Sequence, residues 1–234
     1  LIGNRDEFFH RAAAVLAEWP DSPIIAGRDL QSGGAWLGIT RTGRWAVITN
    51  YREGKAPAAD APTRGALVAN FLTSDLAPLA YLQGIDGERY AGFNLIVGTL
   101  TEAAILGNRG TPAQILPAGM HTLSNALLDT PWPKTQRLGT GFSTLDIAGD
   151  ETVLEQSGLA LLADEHKAPD EELPHTGISP EMEKMLSSIR IDSPIYGTRV
   201  SSVLILDQHG YRFSEKTLRP VEGELVDLSG DWQP

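Results

Sequence analysis

Between Ile24 and Gly54 the apolar residues come in three short runs, "IIAG", "AWLGIT" and "RWAVITN", rich in Ile, Val, Trp and Thr and separated by glycine-bearing segments. Runs of this kind read as consecutive antiparallel strands. Ser32-Gly33-Gly34 and Arg41-Thr42-Gly43-Arg44 supply positions that tolerate positive φ, so both predict hairpin turns. A glycine pair can also cradle phosphate, but neither a helical pattern nor a Gly-Lys step follows it, and a turn is expected. After residue 60 the period changes. Leu67, Phe71 and Leu72, then Leu76, Leu79, Ala80 and Leu82, recur at helical spacing and predict two helices, with Thr63 and Ser74 as caps and Pro78 in a first turn.

Strand character returns in "YAGFNLIVGTLTEAAILGNRG", a hairpin around Thr101-Glu102, and is expected to continue through "AQILPAGMHTLSN". Helical patterns follow after "ALLDTPWPKTQRL" and in "TVLEQSGLALLADEH", then an acidic loop over 164–174. Val200, Val203 and Ile205 with Tyr211 and Phe213 predict a last hairpin turned at Gln208-His209-Gly210. At the other end, Leu1-Ile2-Gly3 reads as the end of a strand, and the polar run from Asn4 to Glu7 as the point where the chain leaves the sheet. Strands, a helix pair, strands, helices and strands in that order fit neither βαβ alternation nor an all-β sandwich. The expectation is an α+β, four-layer αββα sandwich of two stacked, mainly antiparallel sheets, formed by a single domain over 1–234.

Composition narrows the chemistry. With 234 residues, 41% hydrophobic and 21% charged, the chain matches an ordinary globular domain. Thirty acidic against 19 basic residues give a net charge of −11 without a basic block, so no nucleic-acid partner is expected. No apolar run approaches the roughly 20 residues of a membrane span, and these residues hold no secretory signal, so a cytoplasmic location is expected. The absence of cysteine removes disulfides, thiolate metal sites and a cysteine nucleophile from these residues. His10, His121, His166, His175 and His209 form no helical i, i+4 pair and no HxH or HExxH, so neither a metal nor a cofactor is expected. No GxSxG surrounds any serine, which argues against a serine hydrolase.

Five polar clusters sit where strands should end: Asn4 to Glu7, Gly27-Arg28-Asp29, Thr49 to Arg52, Ser124-Asn125 with 129–134, and Tyr196 to Arg199. Amides can donate to a developing oxyanion, and Arg can hold a carboxylate or thiolate, so together they could form an acyl-transfer pocket. The alternative is that the Asn and Asp side chains satisfy turn backbones and the arginines make surface ion pairs. Residue types alone leave both open, since neither a nucleophile nor a base is evident.

Taken in order, NRDE, GRD, GGAWLG, ITNYR, TRG, GFNLIVG, GNRG, LSNALLDTPWPK and YGTR resemble the NRDE family, which includes the transport and Golgi organisation proteins of animals. The likeness covers residues 4 to about 213. Ala35 replaces a common Thr and Thr63 a common Ser, and the cysteine that follows the initiator methionine in that family would precede Leu1. The family resembles the N-terminal nucleophile hydrolases, in which the first residue supplies both nucleophile and base. That resemblance implies that Arg5 stabilises a thiolate, Asp6 holds the α-amine, Asn50 donates to the oxyanion and Asn125 positions the amine or closes the oxyanion site. It further implies that Arg199 faces the nucleophile from the opposite sheet, with Gly197 allowing close approach. Asp129, Trp132 and Lys134 form a signature that could be a pocket wall or a turn clasp. Three functions are consistent with this: an N-terminal cysteine hydrolase acting on a C–N amide bond, a non-catalytic haem or lipid/acyl-CoA binding and trafficking protein, and a degenerate relative with a structural role. Convergence of Arg5, Arg28, Arg52 and Arg199 would suit an anionic small molecule, and the sequence leaves the oligomeric state open.

Overall fold

A computed structural model describes residues 1–54, 58 and 60–233. Its elements in chain order are β1 (Ile2–Phe8), β2 (Ala13–Glu18), β3 (Ile24–Asp29), β4 (Leu37–Thr40), β5 (Trp45–Asn50), α1 (Gly65–Leu72), α2 (Pro78–Gln83), β6 (Phe93–Gly98), β7 (Ala103–Gly107), β8 (Thr111–Ile115), α3 (Pro133–Phe142), α4 (Glu151–Leu162), α5 (Pro180–Met185), β9 (Tyr196–Leu206), β10 (Gly210–Thr217) and β11 (Leu225–Asp231). They build two antiparallel sheets, a seven-stranded meander β2-β3-β4-β5-β6-β7-β8 and a four-stranded sheet β1-β9-β10-β11. Helices α1 and α2 pack on the larger sheet, while α4 packs on β1 and β9 with α3 beside it. The α+β sandwich expected from the strand and helix order is the architecture observed.

Strand periodicity explains the layering, because successive side chains point to opposite faces. Ile24, Ala26, Ala46, Ile48, Leu95 and Val97 form one apolar cluster with Leu67, Val68 and Phe71 of α1. The intervening Ile25, Val47 and Ile96 form a second cluster with Leu204, Tyr211 and Phe213 of the other sheet. Central strands are therefore buried on both faces and read as continuous apolar runs. On β10 the alternate residues turn outward to α4: the Ser214 hydroxyl donates to Glu155 at 2.8 Å and Arg212 donates to Thr152 at 2.9 Å. Asp150 caps that helix by accepting from the Thr152 and Val153 N–H groups. Gly158 lets it lie close, since a Cβ there would stand 3.1 Å from Ile2 and 3.2 Å from Val203.

Three expectations need correction. The polar run at Asn4 does not leave the sheet: it lies inside β1, with a register shift between Arg5 and Asp6 against β9. Asn4 Nδ2 donates to the Leu162 and Ile189 carbonyls, both at 2.9 Å, so its polarity ties the strand to the end of α4. Thr63 and Ser74 are not caps, because the residues preceding α1 and α2 are Arg64 and Ala77, neither with a side-chain cap bond. The strand β8 stops at Ile115, before Pro117 and a Gly119 at φ 144°, rather than running on to Asn125. Beyond these, β2 and β11 carry no clear sequence signal, whereas α5 does, with Ser179 as N-cap and Pro180 at its first position. The AAVLAE run of β2 favours a helix by propensity, and pairing with β3 overrides it.

Candidate functional site

A cavity of about 390 Å³ opens between the two sheets, and Arg5, Asp6, Asn50, Asn125 and Arg199 all line it. The sequence clusters therefore converge. Seven cationic and four acidic side chains border the space among the described residues, against a chain that is net negative overall. The cations are Arg5, Arg11, Arg28, Arg64, Lys134, Arg199 and Arg219, and the acids are Asp6, Glu7, Asp29 and Glu215.

Two glycine motifs shape one wall. A Cβ on Gly34 would lie 2.4 Å from the Gly65 carbonyl carbon, so "GGAW" and "TRG" mark a close crossing of two backbones. The Ala35 N–H donates to the Gly65 carbonyl at 3.3 Å across the same crossing. Gly33 beside it has φ +78° and open space, as a turn requires.

On β1, Arg5 reaches Asp29 at 3.4 Å and Glu7 at 3.9 Å, while Asp29 is held more closely by Arg11 at 2.5 Å. Burial pushes the Asp29 carboxyl up, but the Arg11 and Ser32 hydrogen bonds outweigh it and hold the group below the usual carboxylate range. Asp6 accepts from the Thr198 hydroxyl at 2.6 Å, and Thr198 in turn accepts from the Ile191 N–H at 2.9 Å. Burial raises the Asp6 pKa, with Lys134, Thr198 and Arg5 opposing it.

Asn50 ends β5, and its main-chain carbonyl accepts from Asn125 Nδ2 at 2.9 Å. The loop carrying Asn125 is further tied by the Arg52 N–H to the Asn125 carbonyl at 2.7 Å and by Asn94 Nδ2 to the Ala126 carbonyl at 2.8 Å. Two amide side chains are thus brought to one edge of the cavity. The Asn50 side chain is exposed there, with no partner among the described residues.

Arg199 lies on β9, the neighbour of β1 in the four-stranded sheet. Its Nη1 donates to the carbonyls of Phe8 and Arg11, where β1 turns away. Burial, with Arg5 nearby, lowers its pKa. Gly197 makes room for a backbone rather than a reacting group, since its Cβ would stand 2.4 Å from the Ile191 carbonyl oxygen.

Arg52 does not join the converging arginines. It sits behind the cavity wall in a buried ion pair with Glu183 at 2.6 Å, its guanidinium 4.8 Å from the Trp132 ring centroid. The signature residues therefore divide their work. Trp132 backs this pair, and Asp129, at φ 57°, accepts from the Thr122 N–H at 2.7 Å and meets His121 at 2.8 Å as a turn clasp. Lys134 lines the cavity at 8% exposure. Burial, reinforced by Arg52, brings its pKa down to about 8 against the opposing pull of Asp6.

Glu215 is the residue that sequence reasoning missed. It is 2% exposed and accepts from the Leu16 N–H and the Ser202 hydroxyl, each at 3.1 Å. Burial raises its pKa, opposed by those two hydrogen bonds. A signal for it existed: Tyr211, Phe213 and Glu215 share one face of a strand, and the third is charged where the first two are core.

The family model for Transport and Golgi organisation 2 matches residues 1–220. The chain belongs to this family. It is 36% identical to the Transport and Golgi organization protein 2 homolog of Bos taurus over 238 residues, covering 93% of this chain and 86% of the relative. Identity to the Homo sapiens homolog is 34% over 240 residues, with the same 93% and 86% coverage. The Drosophila melanogaster Transport and Golgi organization protein 2 is 28% identical over 257 residues, 99% of this chain and 88% of that one. Membership in the Transport and Golgi organisation 2 family agrees with the NRDE motifs and accounts for their order. No helix among the described residues is long and apolar enough to cross a membrane.

Proposed function

We propose that this Transport and Golgi organisation 2 family chain forms the pocket of an N-terminal cysteine amidohydrolase, with the nucleophile on a segment preceding Leu1. The observation that carries this reading is the meeting of Asn50 and Asn125 at one edge of a cavity whose other side holds Arg5 and Asp6. In the reaction, the cysteine thiolate adds to the amide carbonyl and the C–N bond breaks, with the departing amine taking a proton from the α-ammonium. Water then cleaves the thioester and restores the thiol. The Asn50 amide is free to donate to the developing oxyanion, and Asn125 holds the Asn50 main chain in place. Asp6 has one oxygen engaged by Thr198, which leaves the other to accept from an α-ammonium. Arg5, only loosely held by Asp29, supplies positive charge beside the thiolate. Arg199 contributes by fixing the chain at the end of β1.

Mass spectrometry of the full-length protein tests the reading at its base. Removal of the initiator methionine to expose cysteine is the expected result. Retention of methionine would withdraw the free-amine mechanism and favour ligand binding on the same scaffold, the haem or lipid/acyl-CoA trafficking role.

A further inference from the structure

The cations around the cavity are not equivalent. Arg5 and Arg11 are held by Asp29, Arg28 by the Gly33 carbonyl, Arg64 by the Gly92 carbonyl, Arg199 by the Phe8 and Arg11 carbonyls, and Arg219 by Asp192. Lys134 alone among them has neither a hydrogen bond from its ammonium nor an ion pair among the described residues. It is also more than nine-tenths buried. An unpaired buried charge is costly, and the cost falls when an oppositely charged group enters.

The helix that carries Lys134 adds a second attraction. Lys134 and Thr135 lie in the first turn of α3 and both line the cavity. That helix has no side-chain cap and no acid in its first turn, and Pro133 has no N–H, so the Lys134 and Thr135 N–H groups are the ones that retain a pull on an anion. A cation at a helix N-terminus opposes the helix dipole, which makes Lys134 a poor choice for stability and a good one for a ligand. Leu128, Leu138 and Leu162 line the cavity as well and offer an apolar surface.

We infer that Lys134 and the first turn of α3 bind the carboxylate of a ligand that carries an apolar chain. One free ammonium suits a monoanion. A phosphate dianion would call for further free cations, and of the lining arginines only Arg5 is loosely held, at 3.4 Å from Asp29. This deepens the proposed function by naming a substrate feature of the same cavity; it rests on that cavity being the ligand site and on no catalytic step.

The test is thermal denaturation of the full-length protein against increasing sodium butyrate, with butyramide, sodium chloride at matched ionic strength and inorganic phosphate as comparisons. Butyrate is expected to raise the transition saturably, and butyramide and chloride are not. Lys134→Met should raise the half-saturating butyrate concentration roughly tenfold to a hundredfold, as loss of a charge-assisted bond implies. The unliganded variant should melt close to wild type, since the cost of the buried ammonium and the support it gives the buried Asp6 carboxylate are removed together. Lys134→Arg, which keeps the charge, should retain part of the response and guards against a variant that fails to fold. An equal butyrate response in wild type and Lys134→Met, no response in either, or a response to phosphate without one to butyrate would each overturn the inference. None of these readings depends on the N-terminal residue or on turnover, so failure here is separable from failure of the hydrolase reading.

Discussion

Asn125 donates its side-chain amide to the main-chain carbonyl of Asn50 at 2.9 Å, so one asparagine holds the backbone of the other. Their substitutions should therefore differ in kind. Asn50→Ala removes an exposed side chain without a partner among the described residues and should leave stability within about 0.5 kcal/mol. It should also slow acylation of the full-length protein on the order of a hundredfold. Asn125→Ala should lower stability by roughly 1 kcal/mol as well as slowing acylation. Urea unfolding and adduct formation followed by mass spectrometry measure the two effects separately.

The Arg52–Glu183 pair is buried on both sides, with side-chain exposures of 9% and 3%, and it lies behind the cavity rather than in it. Removing one partner strands the other charge. Glu183→Ala should cost about 3–5 kcal/mol, measured as a fall in the urea midpoint without a change in slope. A loss below about 1 kcal/mol would show that water or another group compensates Arg52.

Adjacent glycines should respond for different reasons. A methyl group on Gly34 would meet the Gly65 backbone at 2.4 Å, and backbone cannot swing aside, so Gly34→Ala should cost about 3 kcal/mol or more and distort the cavity wall. Gly33→Ala meets nothing and carries only the strain of φ +78°, on the order of 1 kcal/mol. Comparison of their unfolding curves checks the ranking.

Lys134 gives the stability a defined pH response. Its folded pKa, about 8, lies below its ordinary 10.5, so between these values the folded state binds fewer protons than the unfolded state. Stability relative to Lys134→Met should therefore rise with pH across this window, by at most about 1.4 kcal/mol per pH unit. The penalty of the buried ammonium is fully present below about pH 8. A difference that is flat or falling from pH 8 to 10.5, measured by urea unfolding of both proteins, would contradict the burial account.

Much of this was legible from the sequence because local pattern and tertiary structure agree where both faces of a strand are buried. The runs holding Ile24, Ala46 and Leu95 are such strands, and glycines mark their turns. The β2 strand was not legible, since its alanines and Leu16 suit a helix and only pairing with β3 decides otherwise. The site shows the same division. Asn50 and Asn125 stand out as polar groups at the ends of readable segments. Arg52 and Arg199 carry the right residue types, yet their destinations depend on partners 131 and 188–191 residues distant in the chain. Such pairings leave no trace in periodicity. Lys134 could be noticed in "PWPK" but not interpreted, because the absence of a partner is visible only in three dimensions.

The central claim is that the cavity serves acyl transfer at an N-terminal cysteine. Its most direct test is to treat the full-length protein with a cysteine-directed acylating probe and locate the added mass by tandem mass spectrometry. One acyl group on an exposed N-terminal cysteine is expected in wild type, formed far more slowly in Asn50→Ala. An N-terminus that keeps its methionine and takes up no acyl group, or uptake at the same rate in the variant, would contradict it.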